Sequence, residues 1–134
     1  MSFIHRVPPP PSTADPGLFR WFTDVRAALG LEALRTPALL NGWVDYGAPY
    51  GGAAYWLRLG VVHLTGLVRD GGLGTNVFAL PTGFRPAARL VFATLCDAGV
   101  ARVDVLPDGA VLVASAPASN GFLSLEGIAF RVGG

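Results

Sequence analysis

Side chains able to do covalent or acid–base chemistry are few in this chain, and they are scattered. His5 and His63 are the two histidines, so a serine triad within the folded region would have His63 as its single base candidate. Ser115, Ser119 and Ser124 stand in no Gly-x-Ser-x-Gly context. Asp45, Asp97, Asp104 and Glu126 could supply paired carboxylates for glycoside hydrolysis, but no spacing pairs them. Asp97, Asp104 and Asp108 read as turn residues, and Glu126 as a loop cap or the partner of an arginine. Cys96 is the one cysteine, which excludes an intrachain disulfide and a cysteine-based zinc site. Its place at the end of Leu-Val-Phe-Ala-Thr-Leu-Cys marks a buried, inert thiol. No cluster has metal-ligand spacing; His63 reads as a hydrogen-bonded sheet residue, although a threefold axis could gather three copies of it. The glycines of 71–74 and 51–52 precede no helix, so they serve turns and bulges and do not cradle a phosphate. The expectation is a protein without catalytic residues, metal or cofactor, and not an enzyme.

Binding chemistry is better represented. Trp43, Tyr46, Tyr50, Tyr55 and Trp56 crowd around the loop Gly47-Ala48-Pro49-Tyr50-Gly51-Gly52. Aromatic rings beside polar groups can stack on sugar faces while the polar groups bond hydroxyls. Tyr46 and Tyr50, on or beside the loop, are the candidate glycan contacts, with Asp45 and Arg58 as their polar partners. Trp43 and Trp56 suit packing in the core or between subunits.

The elements that must position these residues are mainly β. The 134 residues make one domain with a short appendage. Asp-Gly at 70–71 and 108–109 supplies the positive φ of tight turns. Strands are expected over 39–46, 53–59, 61–69, 75–80, 89–97, 101–106, 110–114 and 122–132. Leu80-Pro81-Thr82-Gly83-Phe84-Arg85-Pro86 should cross between sheets, since its prolines cannot donate to a ladder. The fold class is an antiparallel β-sandwich, jelly-roll-like, over 38–134.

Ahead of it, 15–37 should hold a short amphipathic helix and linker. Asp15-Pro16 is a helix start, and Leu18, Phe22, Val25 and Leu29 fall on one apolar seam. A helix this short must pack on something, and the flanking Phe19 and Trp21 favour three helices or a docked one. Residues 1–14 contain Pro8, Pro9, Pro10 and Pro11 with Phe3 and Ile4. The two readings of that segment are a disordered tail and an extended arm that anchors in a neighbour.

With 51% hydrophobic and 14% charged residues, part of the apolar surface should be buried between subunits. All ten basic residues are Arg and the net charge is +1, so no footprint for nucleic acid exists. No apolar run reaches the ~20 residues of a membrane helix, and the first residues lack the apolar core of a signal peptide.

Leu80-Pro81-Thr82-Gly83-Phe84-Arg85-Pro86, then Arg102-Val103-Asp104-Val105 with Asp108-Gly109, then Phe122-Leu123-Ser124-Leu125-Glu126-Gly127-Ile128 occur in order, preceded by Leu40-Asn41-Gly42-Trp43 and Tyr46-Gly47. This wording resembles the C-terminal β-sandwich domains of bacteriophage minor tail and tail-fibre proteins of the receptor-binding type. The resemblance implies a virion protein, made in the host cytoplasm: a homotrimeric tail-fibre or tail-tip component that displays its head domain to host-surface glycan and holds other virion proteins through its amino-terminal arm. The helix is far shorter than a fibre shaft, so a trimeric capsid decoration or head-spike protein is the alternative.

Overall fold

Frequent turns cut the apolar chain into strands too short to stand alone, and two sheets bury them against each other. The computed structural model describes residues 17–28, 34–117 and 121–133. One helix, α1 (Leu18–Ala28), precedes β1 (Val44–Asp45), β2 (Ala54–Arg58), β3 (Val61–Thr65), β4 (Leu67–Arg69), β5 (Asn76–Ala79), β6 (Leu90–Cys96), β7 (Gly99–Val105), β8 (Ala110–Ser115), β9 (Leu123–Ser124) and β10 (Ala129–Arg131). Seven strands form one sheet in the order β1-β4-β9-β6-β7-β8-β5, and three form the other as β10-β3-β2. All pairings are antiparallel.

The expected β-sandwich is therefore the fold, with a seven-stranded and a three-stranded layer. Val62 and Leu64 of β3 and Phe130 of β10 meet Val68, Val103, Val105, Val111 and Val113 of the large sheet in one core. Burying each such side chain contributes about 1.5–3 kcal/mol. Tyr55 of β2 stacks on Phe78 of β5, with ring centroids 6.1 Å apart, and meets the edge of Phe84 at 5.2 Å. Cys96 lies in the core as a free thiol.

Two of the expected strands break because the chain changes sheets inside them. Residues 61–69 divide at Gly66 into β3 of the small sheet and β4 of the large one. Gly66 has φ +112°, and a Cβ there would lie 2.4 Å from the Gly52 carbonyl oxygen, so only glycine fits the bend. Residues 122–132 likewise divide into β9 and β10 around the turn at 125–128. The expected strand at 39–46 shrinks to Val44–Asp45, because Asn41 and Gly42 adopt positive φ in a turn before it.

The segment 80–86 is a crossover, as its prolines require, but it joins β5 to β6 within the same large sheet and not one sheet to the other. On the way it drops Phe84 into the core. Ahead of β1 the chain crosses both layers. Arg35 exchanges two backbone hydrogen bonds with Tyr55 of β2, at 2.9 and 3.0 Å, and the Leu40 N–H donates to the Val77 carbonyl at 2.8 Å. The Arg35 guanidinium sits 4.7 Å from the Phe84 ring centroid.

Asp104 is no turn residue. It lies fully buried in β7, with Arg89 Nε 2.7 Å and Arg102 Nε 2.9 Å from its carboxylate. The hydrogen bond from Arg102, joined by that from Arg89, holds its pKa below the usual carboxylate value, against burial, which pushes it up.

On α1, Phe22 is 57% exposed and Leu18 and Val25 are half-buried. None of the three enters the core of the sandwich. Leu29 and the anchoring candidates Phe3, Ile4, Pro8, Pro9, Pro10 and Pro11 lie outside the described residues. Among the described residues no helix is long and apolar enough to cross a membrane.

Candidate functional site

The changes of sheet at Gly66 and at 125–128 meet at one corner of the sandwich, and one carboxylate ties them together. Glu126, in the turn between β9 and β10, accepts a hydrogen bond from the Gly66 N–H at 3.0 Å and another from the Thr65 hydroxyl. The Leu125 N–H donates to the Gly66 carbonyl at 2.8 Å, and the Leu64 N–H to the Ile128 carbonyl at 2.9 Å. The Glu126 N–H in turn bonds the Ser124 hydroxyl at 3.1 Å. Glu126 thus caps the corner, one of the two roles expected of it.

The loop carrying Tyr46 and Tyr50 is fastened to the same corner. Leu67 holds both its ends: its carbonyl accepts from the Tyr46 N–H at 2.9 Å, and its own N–H donates to the Gly51 carbonyl at 3.0 Å. Inside the loop the Tyr50 N–H reaches the Gly47 carbonyl at 3.0 Å. Asp45 Oδ1 accepts from the Ala53 N–H at 2.8 Å and draws the flanks together. The two tyrosine rings meet edge to face with centroids 5.2 Å apart, a preferred aromatic geometry. Both remain open to solvent, Tyr46 39% and Tyr50 54% exposed.

Between this loop and β6 lies a cleft of about 420 Å³. Tyr46, Tyr50, Leu67, Leu95 and Phe122 give it an apolar lining, and Ser124 and Glu126 supply polar groups. A concave site with aromatic walls and a few fixed polar groups is the usual form of a small-ligand or saccharide site. Its rigidity comes from main-chain bonds, so little order remains to be imposed on binding.

Of the sequence-predicted site residues, Tyr46 and Tyr50 come together here. Asp45 acts one step back, bracing the loop. Arg58 does not join them: it lies at the end of β2 paired with Val61, in the other sheet, and does not line the cleft. The tryptophans part company. Trp43 is buried and donates from Nε1 to the Thr75 hydroxyl at 3.1 Å. Its indole occupies the space where a Cβ on Gly71 would sit, so that glycine answers close packing as well as turning. Trp56 is half-buried, stacked on His63 across β2 and β3 with centroids 4.9 Å apart. Among the described residues no group of three or more His, Cys, Asp or Glu could hold a metal ion.

Sequence reasoning missed Leu67, Leu95, Phe122 and Ser124. They become neighbours only because β4, β6 and β9 lie side by side, a proximity that no local spacing encodes. The one available signal was Glu126, an acidic residue followed by glycine between two apolar runs.

No family model and no curated protein matches this chain. Among solved structures, the receptor binding protein gp15 of Listeria phage PSA is similar, with a TM-score of 0.62 at 21% sequence identity, over 87% of this chain and 76% of that one. The likeness is one of fold.

Proposed function

We propose that this chain is a virion protein of a tailed bacteriophage, a tail-fibre or tail-tip component that attaches to a glycan on the host surface. The Tyr46–Tyr50 pair at the mouth of a preformed cleft carries this reading, since exposed aromatic faces with a carboxylate and a hydroxyl beside them suit a sugar ring. The shared fold with a phage receptor binding protein and the motif wording at 80–86 and 122–128 support it. Binding, not hydrolysis, fits the lining: among the described residues Glu126 is the sole carboxylate there, and it is already engaged by Gly66 and Thr65, whereas glycosidases use a pair.

The working form is a homotrimer, made in the host cytoplasm and built into the particle through its amino-terminal arm. The open seam on α1 supports association, as do Val91, Leu95 and Val100, which are 59%, 60% and 67% exposed on β6 and β7. The alternative of a capsid decoration or head-spike protein keeps the trimer and the arm and gives the tyrosines to packing.

The test is binding of the full chain to immobilised surface polysaccharide and to host cells. Tyr46→Ala and Tyr50→Ala should each weaken it about tenfold with the subunit number unchanged. Unaltered binding in both variants, or a label on intact particles that decorates the head and spares the tail, would reject the receptor-binding reading.

A further inference from the structure

The three-stranded sheet turns one face to the core and the other outward. Tyr55, Leu57, Val62, Leu64 and Phe130 point inward, so the alternate residues Trp56, Arg58, Val61, His63, Ala129 and Arg131 project from the outer face. Registers align them in two rows across the strands: Trp56, His63 and Ala129 in one, Arg58, Val61 and Arg131 in the next. Arg58 and Arg131 are exposed on either side of Val61, with backbones roughly 10 Å apart.

The other arginines of the sandwich are occupied. Arg69 pairs with Asp70, Arg89 and Arg102 with Asp104, Arg85 with the Leu80 carbonyl, and Arg35 lies over Phe84. Among the described residues the side chains of Arg58 and Arg131 have no ion pair and no hydrogen bond. No acidic residue occurs in either row, and Glu126 is engaged at the Thr65 end of β3, beyond the Trp56–His63 row. Two free guanidinium forks thus stand in one row on either side of Val61, beside the row that carries a half-buried indole–imidazole stack.

We infer that this face is a second saccharide subsite, specific for sugars that carry an oxyanion, carboxylate or phosphate. Guanidinium groups recognise both in forked, charge-assisted geometry, and the Trp56–His63 stack offers the neighbouring ring an apolar surface. The span between the arginines suits substituents on successive rings of an acidic polysaccharide. A nucleic acid fits less well, because a net charge of +1 provides no basic track beyond the pair. The cleft at the corner, whose one charged lining group is Glu126, selects against the same anions, so the two surfaces would read different parts of a mixed polymer. The inference rests on the host-glycan reading for the source of its ligand alone.

Three probes with one backbone test it: dextran, carboxymethyl dextran and dextran phosphate, each immobilised and offered the full chain at low and high salt. Retention on one or both anionic dextrans and not on dextran, weakened by salt and reduced about tenfold or more by Arg58→Ala with Arg131→Ala, is the expected result. Tyr46→Ala should leave that retention intact, which separates it from the corner cleft. Equal retention on all three probes, no retention on either anionic one, or full retention by the double variant would overturn the proposal. So would a change in subunit number on Arg58→Glu with Arg131→Glu, since the face would then be an interface between copies.

Discussion

The carboxylate of Glu126 accepts the main-chain N–H of Gly66 at 3.0 Å, across sixty residues of sequence. That bond joins two of the three points where the chain passes between the sheets, small to large at Gly66 and large to small at 125–128, beside the tyrosine loop held by Leu67. Stability of the corner and shape of the cleft are therefore linked.

Glu126→Ala removes an acceptor from a part-buried N–H and from the Thr65 hydroxyl. Loss of such a partner costs about 1–3 kcal/mol. Urea unfolding should show that loss together with weaker glycan binding, whereas Glu126→Gln, whose amide oxygen still accepts, should keep most of both.

Gly66→Ala should be worse. The substitution combines strain at φ +112° with a Cβ 2.4 Å from the Gly52 carbonyl oxygen and 2.6 Å from the Ala53 nitrogen. A cost of at least about 3 kcal/mol is expected. Gly47→Ala isolates the strain, because φ there is +101° but nothing lies within 4 Å of the new Cβ; it should cost about 1–2 kcal/mol. Equal melting temperatures for the two variants would contradict the role given to close packing at the corner.

Acid should loosen β7. The carboxylate of Asp104 has a folded-state pKa held below its unfolded value by Arg102 and Arg89. Its contribution is complete above the unfolded pKa of about 3.9 and disappears as pH falls through the lower folded value. Wild-type protein should lose stability as pH drops below about 4, and Asp104→Asn should be less stable at neutral pH with a flatter acid dependence. Melting curves across that range check both.

Phe22→Asp addresses assembly. Since Phe22, Leu18 and Val25 lie outside the core of the sandwich, a charge at Phe22 should shift light-scattering mass from the proposed trimer to monomer while the sandwich melts as before. A trimer that survives the substitution would assign association to the exposed β6–β7 face instead.

Much of the fold was legible because it is written locally. Asp108-Gly109 turns the β7–β8 hairpin, with Asp108 Oδ1 accepting from the Ala110 N–H at 3.0 Å, and the strands expected at 89–97 and 101–106 are present as β6 and β7. The sheet changes at Gly66 and 125–128 were not legible, since an apolar run reads as one strand whether or not it bends from one layer to the next. For the same reason Tyr46 and Tyr50 could be found from their loop, but Leu95 and Phe122 could not, as they reach the cleft by tertiary pairing. Asp104 looked like turn chemistry because Arg102, two places before it, shares its face only once the segment is a strand, and Arg89 reaches it from outside β7.

The segment before β1 has a mechanical consequence. Arg35 is bonded to Tyr55 at the outer edge of the small sheet, and Leu40 and Asn41 to Val77 and Asn76 at the outer edge of the large one. A pull arriving from the amino-terminal side meets the two layers through one strap. The first bonds to bear load are the Arg35–Tyr55 pair, and behind them Tyr55 is wedged between Phe78 and Phe84. Tension is thereby shared between the sheets and their common core.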